Sequence, residues 1–191
     1  MSPYDVHPAE AEHLEGARSV MLDTFYREFG HGYHPVWHRD VIDLDGTYLR
    51  PARHALFVAT KGGEVVATTA VRAGGPSCPP HPRFLADRYP AETTAQLFRV
   101  YVRPEHRRQG LAGAMVRLAC RFVADTAGYE ALYLHTDTRV EGAEAFWRSM
   151  ATEVHDARDG DHEHFQTIHF EIPLDGFRDT ADTSGALQAR S

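Results

Sequence analysis

Apolar positions along this chain follow two rhythms, and their order predicts a sheet interleaved with helices. Leu97, Phe98, Val100, Tyr101 and Val102 form a β-rich apolar run, which Pro104 should stop near Arg103 because proline cannot donate to a ladder. The period then turns helical: Leu111, Met115, Leu118, Ala119 and Phe122 recur on one face. Upstream, Leu14, Ala17, Val20, Met21, Thr24, Phe25 and Phe29 predict a helix over 9–29, ended by Gly30 and Gly32. A short edge strand over 4–7 precedes it and stops before Pro8. Strand-like runs at 54–60 and 64–72 flank Lys61-Gly62-Gly63, a hairpin signal. The Gly- and Pro-rich stretch 73–82 reads as a loop, followed by a short helix over 83–89. Beyond the central helix come a strand at 130–135, an amphipathic helix over 140–150 and a closing strand pair at 152–157 and 165–172. This gives one domain over 1–173, and the polar tail from Leu174 is expected to be disordered.

The chemistry concentrates between the strand at 97–102 and the helix that follows. Arg107-Arg108-Gln109-Gly110-Leu111-Ala112-Gly113 is a short basic loop running into a helix N-terminus. Such an end offers unpaired N–H groups and partial positive charge, and a glycine there lets a ligand approach the backbone. The residues suit a phosphate cradle. The P-loop lysine is absent, as is G-x-G-x-x-G spacing, which argues against mononucleotide kinase and dinucleotide folds.

The stretch V-Y-V-R-P-E-H-R-R-Q-G-L-A resembles the pyrophosphate-binding motif of the GCN5-related N-acetyltransferases (GNAT), with Arg107, Gly110 and Ala112 at the defined positions of [Q/R]-x-x-G-x-[G/A]. The resemblance implies a GNAT fold of the α/β (α+β) class: a central mixed, mostly antiparallel, splayed sheet flanked by helices. It implies acetyl-CoA as cosubstrate, with Arg107, Arg108, Gln109, Gly110, Leu111, Ala112 and Gly113 at the pyrophosphate and Val100, Tyr101 and Val102 along the pantetheine arm. The Val102 N–H becomes the candidate donor to the thioester carbonyl.

Two positions depart from the family pattern. Members often carry a glutamate base fourteen positions before the first motif glycine; here that residue is Gln96. Many carry a tyrosine acid in a pattern like N-x-x-A-x-x-F-Y, where this chain has Val140 at the first position and Trp147 at the last. An amide is no useful base and an indole no acid, so Trp147 is assigned to packing against pantetheine or the core. His135 and Asp137, at the end of a strand beside the key strand, are the replacement base candidates, and Tyr101 the candidate acid.

The acceptor side falls on two segments. HGYHPVWHRDVIDLDGTYL supplies aromatic walls in Tyr33 and Trp37 and acidic groups such as Asp40 to attract an ammonium; the alternative is a surface helix with its aromatics in the core. His81, in the Gly- and Pro-rich loop, can enter the site if that loop forms a lid, and Gln96 completes the acceptor set. No metal is expected: Gly32 and Pro35 keep His31, His34 and His38 off one regular face.

Composition narrows the partners. The chain has 191 residues and a formal charge of −7, which disfavours nucleic acid and favours a cationic or amine-bearing small molecule. No apolar run approaches the roughly 20 residues of a membrane span, and the polar, acidic start is no signal peptide. Cys78 and Cys120 are read as reduced thiols of a cytoplasmic protein, and the Arg and Ala bias points to a GC-rich bacterial source. A homodimer is compatible with the sequence. The reading is therefore an acetyl-CoA-dependent acetyltransferase acting on a small-molecule primary amine. Its alternatives are a CoA-binding sensor or pseudoenzyme, or a transferase acting on protein N-termini.

Overall fold

The computed structural model describes residues 2–161 and 163–178. A seven-stranded sheet runs through it in the order β1-β2-β3-β4-β5-β7-β6. The strands are β1 (Asp5–Pro8), β2 (Ala55–Lys61), β3 (Glu64–Ala73), β4 (Thr94–Val102), β5 (Ala131–Asp137), β6 (Thr152–Asp156) and β7 (Thr167–Ile172). Every neighbouring pair is antiparallel except β4 and β5. The helices are α1 (Leu14–Asp23), α2 (Arg83–Arg88), α3 (Leu111–Asp125) and α4 (Ala143–Arg148).

Strand alternation divides the core between the two faces. Phe57, Leu97, Leu132, Leu134 and Phe170 point toward α3 and α4, where Val116, Ala119, Val123 and Trp147 bury them. Leu56, Val58 and Ala70 point the other way, under Ala17, Val20, Met21 and Phe25 of the α1 segment. On that second face α2 covers β5 through Leu85, Tyr89 and Tyr133.

Three expectations need correction. Pro8 belongs to β1, facing Phe57, because an edge strand does not need every N–H. Residues 31–50 form no surface α-helix; Gly32 and Pro35 leave only a 3-10 turn at Arg39–Val41 and a wider π turn at Asp45–Leu49. The chain also stays packed beyond residue 173. Leu174 is 5% exposed in the core, Phe177 packs on the same cluster, and the Arg178 guanidinium donates to the Tyr129 carbonyl at 3.3 Å. The rest of the expected disordered tail lies outside the described residues.

Candidate active site

A cleft opens where β4 and β5 part. Only Thr94, Ala95 and Gln96 pair with β5, opposite Ala131, Leu132 and Tyr133; beyond them each strand keeps its outer neighbour but not the other. Their facing edges are therefore left to a ligand. A bulge sharpens the divergence. Arg99 has φ 54°, the register skips between Thr68 and Ala70, and the Thr68 hydroxyl donates to the Arg99 carbonyl at 2.8 Å. The extra residue puts Phe98 and Tyr101 on the α1 face, and Val100 and Val102 on the α3 face. The Arg103 N–H bonds back to Val66, so by strand alternation the N–H and carbonyl of Val102 face the cleft. Arg107 Nε donates to that carbonyl at 3.0 Å.

The loop at the cleft's end is shaped for an anion. Arg108 and Gly110 both take left-handed conformations, with φ 62° and 75°. Gly110 is the N-cap of α3, and no side chain caps the helix. The first N–H groups of α3 thus have no intrahelical partner, and a Cβ built on Gly110 would meet nothing within 4 Å. Arg107 is braced by an ion pair with Glu28, while Arg108 and Gln109 are exposed. An uncapped N-terminus, open space over the glycine and an unpaired strand edge together fit a pyrophosphate followed by an extended arm.

Four imidazoles gather where the cleft begins. His135 on β5 lies 4.7 Å from His81 and 5.9 Å from His169 between ring centres; His155 stacks on His169 at 5.7 Å. The Tyr133 hydroxyl is hydrogen-bonded to His169 Nδ1 at 2.6 Å and lies 3.5 Å from His135 Nδ1. The Gln96 side-chain amide approaches the same His135 nitrogen at 3.4 Å. His135 is exposed to solvent in the cleft, although protein atoms crowd around it. Burial, then His81 and His169, holds its pKa below the ordinary value, an effect tempered by solvent in the cleft. Burial lowers His81 too, and burial with His81 and His155 lowers His169 to about 4. His81, His135 and His169 are therefore uncharged at neutral pH.

The wall on the α1 side is a closed ionic network. Arg99 donates to Asp40 through Nε at 3.0 Å and Nη2 at 2.7 Å, and Nη2 also donates to the Trp37 carbonyl at 2.7 Å. The Tyr48 hydroxyl donates to Asp40 at 2.6 Å. Across the cleft mouth, the half-exposed rings of Trp37 and Phe165 meet edge to face at 6.1 Å.

The sequence profile of the Acetyltransferase (GNAT) family matches residues 18–151, which take in the cleft, its loop and α4. The chain belongs to the GNAT acetyltransferase family. Among curated relatives of this GNAT chain, N-acetyltransferase 8 of Mus musculus is 34% identical over 113 residues, covering 59% of this chain and 44% of that protein. N-acetyltransferase 8 of Homo sapiens is 44% identical over 59 residues, 31% of this chain and 26% of that one. The chain thus spans less than half the length of these relatives. A GNAT acetyltransferase structure from Staphylococcus aureus shares the fold at TM-score 0.68 and 12% identity, covering 90% of this chain and 99% of that one. The ribosomal-protein-S18-alanine N-acetyltransferase of Escherichia coli matches at TM-score 0.60 and 16% identity over 90% and 94%.

Within the GNAT cleft the sequence-named residues sort clearly. Gln96, His81 and His135 come together. Arg107, Arg108, Gln109, Gly110, Ala112 and Gly113 form the loop, where Leu111 buries its side chain and can offer only its N–H. Asp40 is not free to attract an ammonium, because it is buried and its oxygens are taken by Arg99 and Tyr48. Asp137 stands apart from the imidazoles' bonding, holding Arg139 and the Gln166 N–H at the end of β5. Tyr101 points to the α1 face among Phe25 and Phe29, and burial raises its pKa against the nearby Arg99. Trp147 takes the core, not an open pantetheine wall, at 6% exposure beside Phe146. Tyr33 sits beside His38, whose ring stacks on Phe25 at 3.8 Å. His31, His34 and His38 are engaged with backbone groups and rings, and no metal-holding cluster occurs among the described residues.

Sequence reasoning missed Tyr133, His169, Arg99 and Arg72. Tyr133 lies two residues before His135 and so on the same face, which alternation alone signals.

Proposed function

We propose that this chain transfers an acetyl group from acetyl-CoA to the primary amine of a small molecule. The observation that carries the reading is the splayed β4–β5 edge running from an uncapped helix N-terminus to a cluster of uncharged imidazoles. Acetyl-CoA, when bound, supplies the activated thioester carbonyl. The loop N–H groups of 108–113 hold its pyrophosphate, and the freed edge of β4 orders the arm. The Val102 N–H, facing the cleft, stabilises negative charge developing on the carbonyl oxygen.

His135 takes the proton from the attacking amine. With Tyr133 assigned as the donor to His169 Nδ1, its oxygen is left as an acceptor near His135 Nδ1. The Gln96 amide, turned so that its carbonyl faces the same nitrogen, accepts there as well. That places the ring proton on Nδ1 and the free lone pair on Nε2, pointed away from both. Its depressed basicity suits an amine that arrives already weakly basic. Tyr101, packed among Phe25 and Phe29 with its proton held by burial, takes no part in this step, and the departing thiolate takes its proton from solvent.

The names of the curated relatives support N-acetyl transfer, and the aromatic mouth supports a small acceptor over a folded protein surface. A binding protein without turnover is the second reading, favoured by Gln96 at the base position. Release of CoASH matched by an acetylated amine, followed by mass spectrometry across an amine panel, decides between them. Acetyl-CoA binding with no product from any amine or peptide N-terminus would reject transfer. No described helix is long and apolar enough to cross a membrane.

A further inference from the structure

Among the described residues, Arg72 is the one half-buried arginine with no hydrogen-bond or ion-pair partner. Arg18 donates to the Val41 carbonyl, Arg53 to that of Glu92, Arg99 to Asp40 and Arg103 to Asp23. Arg72 makes no ion pair or hydrogen bond with any described residue; its guanidinium lies 4.1 Å over the Phe98 ring. Its place is set by register. On β3 it stands opposite Gln96, so its side chain shares the face of Gln96 and, across β4, of Tyr133 and His135.

The charge around it is lopsided. Asp40 is close enough to feel Arg72, but its oxygens are committed to Arg99 and Tyr48. Asp137 is matched by Arg139, and Glu171 by Arg88. His81, His135 and His169 stay neutral. One guanidinium remains over, partly withdrawn from water, with planar donors and no acceptor. Such a group matches a carboxylate bidentately and repels a second cation.

We propose that Arg72 binds a carboxylate on the acceptor, so that the preferred substrate is a primary amine that also bears a carboxylate, as an amino acid does, and not a polyamine. This rests on the transferase reading above. Arg72 and His135 lie one strand to either side of β4, and strands are spaced about 4.8 Å apart. A small amino acid therefore lies across Gln96, with its amine toward His135 and its carboxylate toward Arg72. The overall charge of −7 suggests a cationic acceptor, but the local field is the reverse because Asp40 is consumed. That field also lowers the pKa of a bound ammonium, which eases deprotonation by a weak base.

The test pairs L-amino acids with the amines left when their carboxyl group is removed, for example phenylalanine with 2-phenylethylamine. Wild type, Arg72→Gln and Arg72→Lys are assayed for CoASH release, and binding of the same pairs to the CoA-loaded protein is measured by calorimetry. The expected result is a preference of about 10- to 100-fold for the carboxylate-bearing member, expressed in KM and in binding. Arg72→Gln should erase it by raising the KM and weakening the binding of the carboxylate-bearing member, and Arg72→Lys should restore part. If wild type handles both members equally, or Arg72→Gln leaves the preference intact, the proposal is overturned while acetyl transfer stands. If Arg72→Gln weakens both members alike and lowers the melting temperature, Arg72 only packs on Phe98, and the proposal is overturned in that case too. If no amine is acetylated, transfer fails, and calorimetry still decides whether Arg72 selects the carboxylate.

Discussion

Replacing Arg99 with methionine removes the guanidinium that locks the bulge of β4 to the segment carrying Trp37. Four bonds disappear: two to Asp40, one to the Trp37 carbonyl and a long one of 3.5 Å to the Tyr101 hydroxyl. Asp40, whose side chain is 3% exposed, keeps only Tyr48. Stranding a buried carboxylate in this way costs about 3–5 kcal/mol. Backbone strain does not enter, because methionine at φ 54° suffers what arginine already does. Asp40→Asn should cost a comparable amount by stranding Arg99. The double variant should fall short of the sum by about 1–3 kcal/mol, since neither charge is then left alone. Urea denaturation at pH 7, followed by far-ultraviolet circular dichroism, measures all four corners of the cycle. The network also has a pH signature. Burial alone would raise the Asp40 pKa, but Arg99 and Tyr48 hold it below 3.8, so its contribution is present above that value and is lost as pH falls through the folded-state pKa. Strict additivity, or an Arg99→Met cost under about 1 kcal/mol, would refute the reasoning that this pair is a closed buried unit.

Other consequences are accessible to simple assays. His135→Ala should lower kcat by about 10²- to 10⁴-fold while leaving the KM for acetyl-CoA nearly unchanged, and the acid limb of the wild-type rate should lie below the ordinary histidine value of 6.5; a limb at or above 6.5 would remove His135 as the base. His38 and His169 have folded pKa values lowered to about 4, by burial first and then by neighbouring positive groups. Their contribution to stability is complete above 6.5 and is lost as pH falls toward 4, at about 1.4 kcal/mol per pH unit for each titrating ring; a stability flat across that window would contradict it. Ending the chain at Pro173 should cost about 1.5–3 kcal/mol in chemical denaturation through loss of the buried Leu174, whereas an unchanged midpoint would mean that the segment adds nothing.

Much of this could be read from residues alone, and the failures share a cause. The strand–loop–helix unit was legible because Pro104, Gly110 and the stripe from Leu111 to Phe122 act locally. Nothing local announces the bulge, since Arg99 adopts its left-handed backbone through long-range partners on β3 and in the 37–40 segment. The bulge reset the facing of Val100, Tyr101 and Val102. Asp40 looked like a free anion because its partners, Tyr48 and Arg99, are chosen by tertiary packing. The imidazole cluster draws on β5, β6, β7 and the loop before α2, so no short spacing in the sequence reveals it. His135 was found only because it ends a strand.

The central claim is that the loop at Gly110 cradles the pyrophosphate of acetyl-CoA. Melting of the wild type and of Gly110→Leu, with and without acetyl-CoA, tests it most directly. The leucine has no protein atom to strike, so its own cost is that of a left-handed L-residue, about 1–2 kcal/mol. Acetyl-CoA at about 100 times its Kd should stabilise the wild type by about 2.7 kcal/mol and leave the variant unmoved. An equal shift in both proteins, or none in the wild type at millimolar acetyl-CoA, would contradict the account.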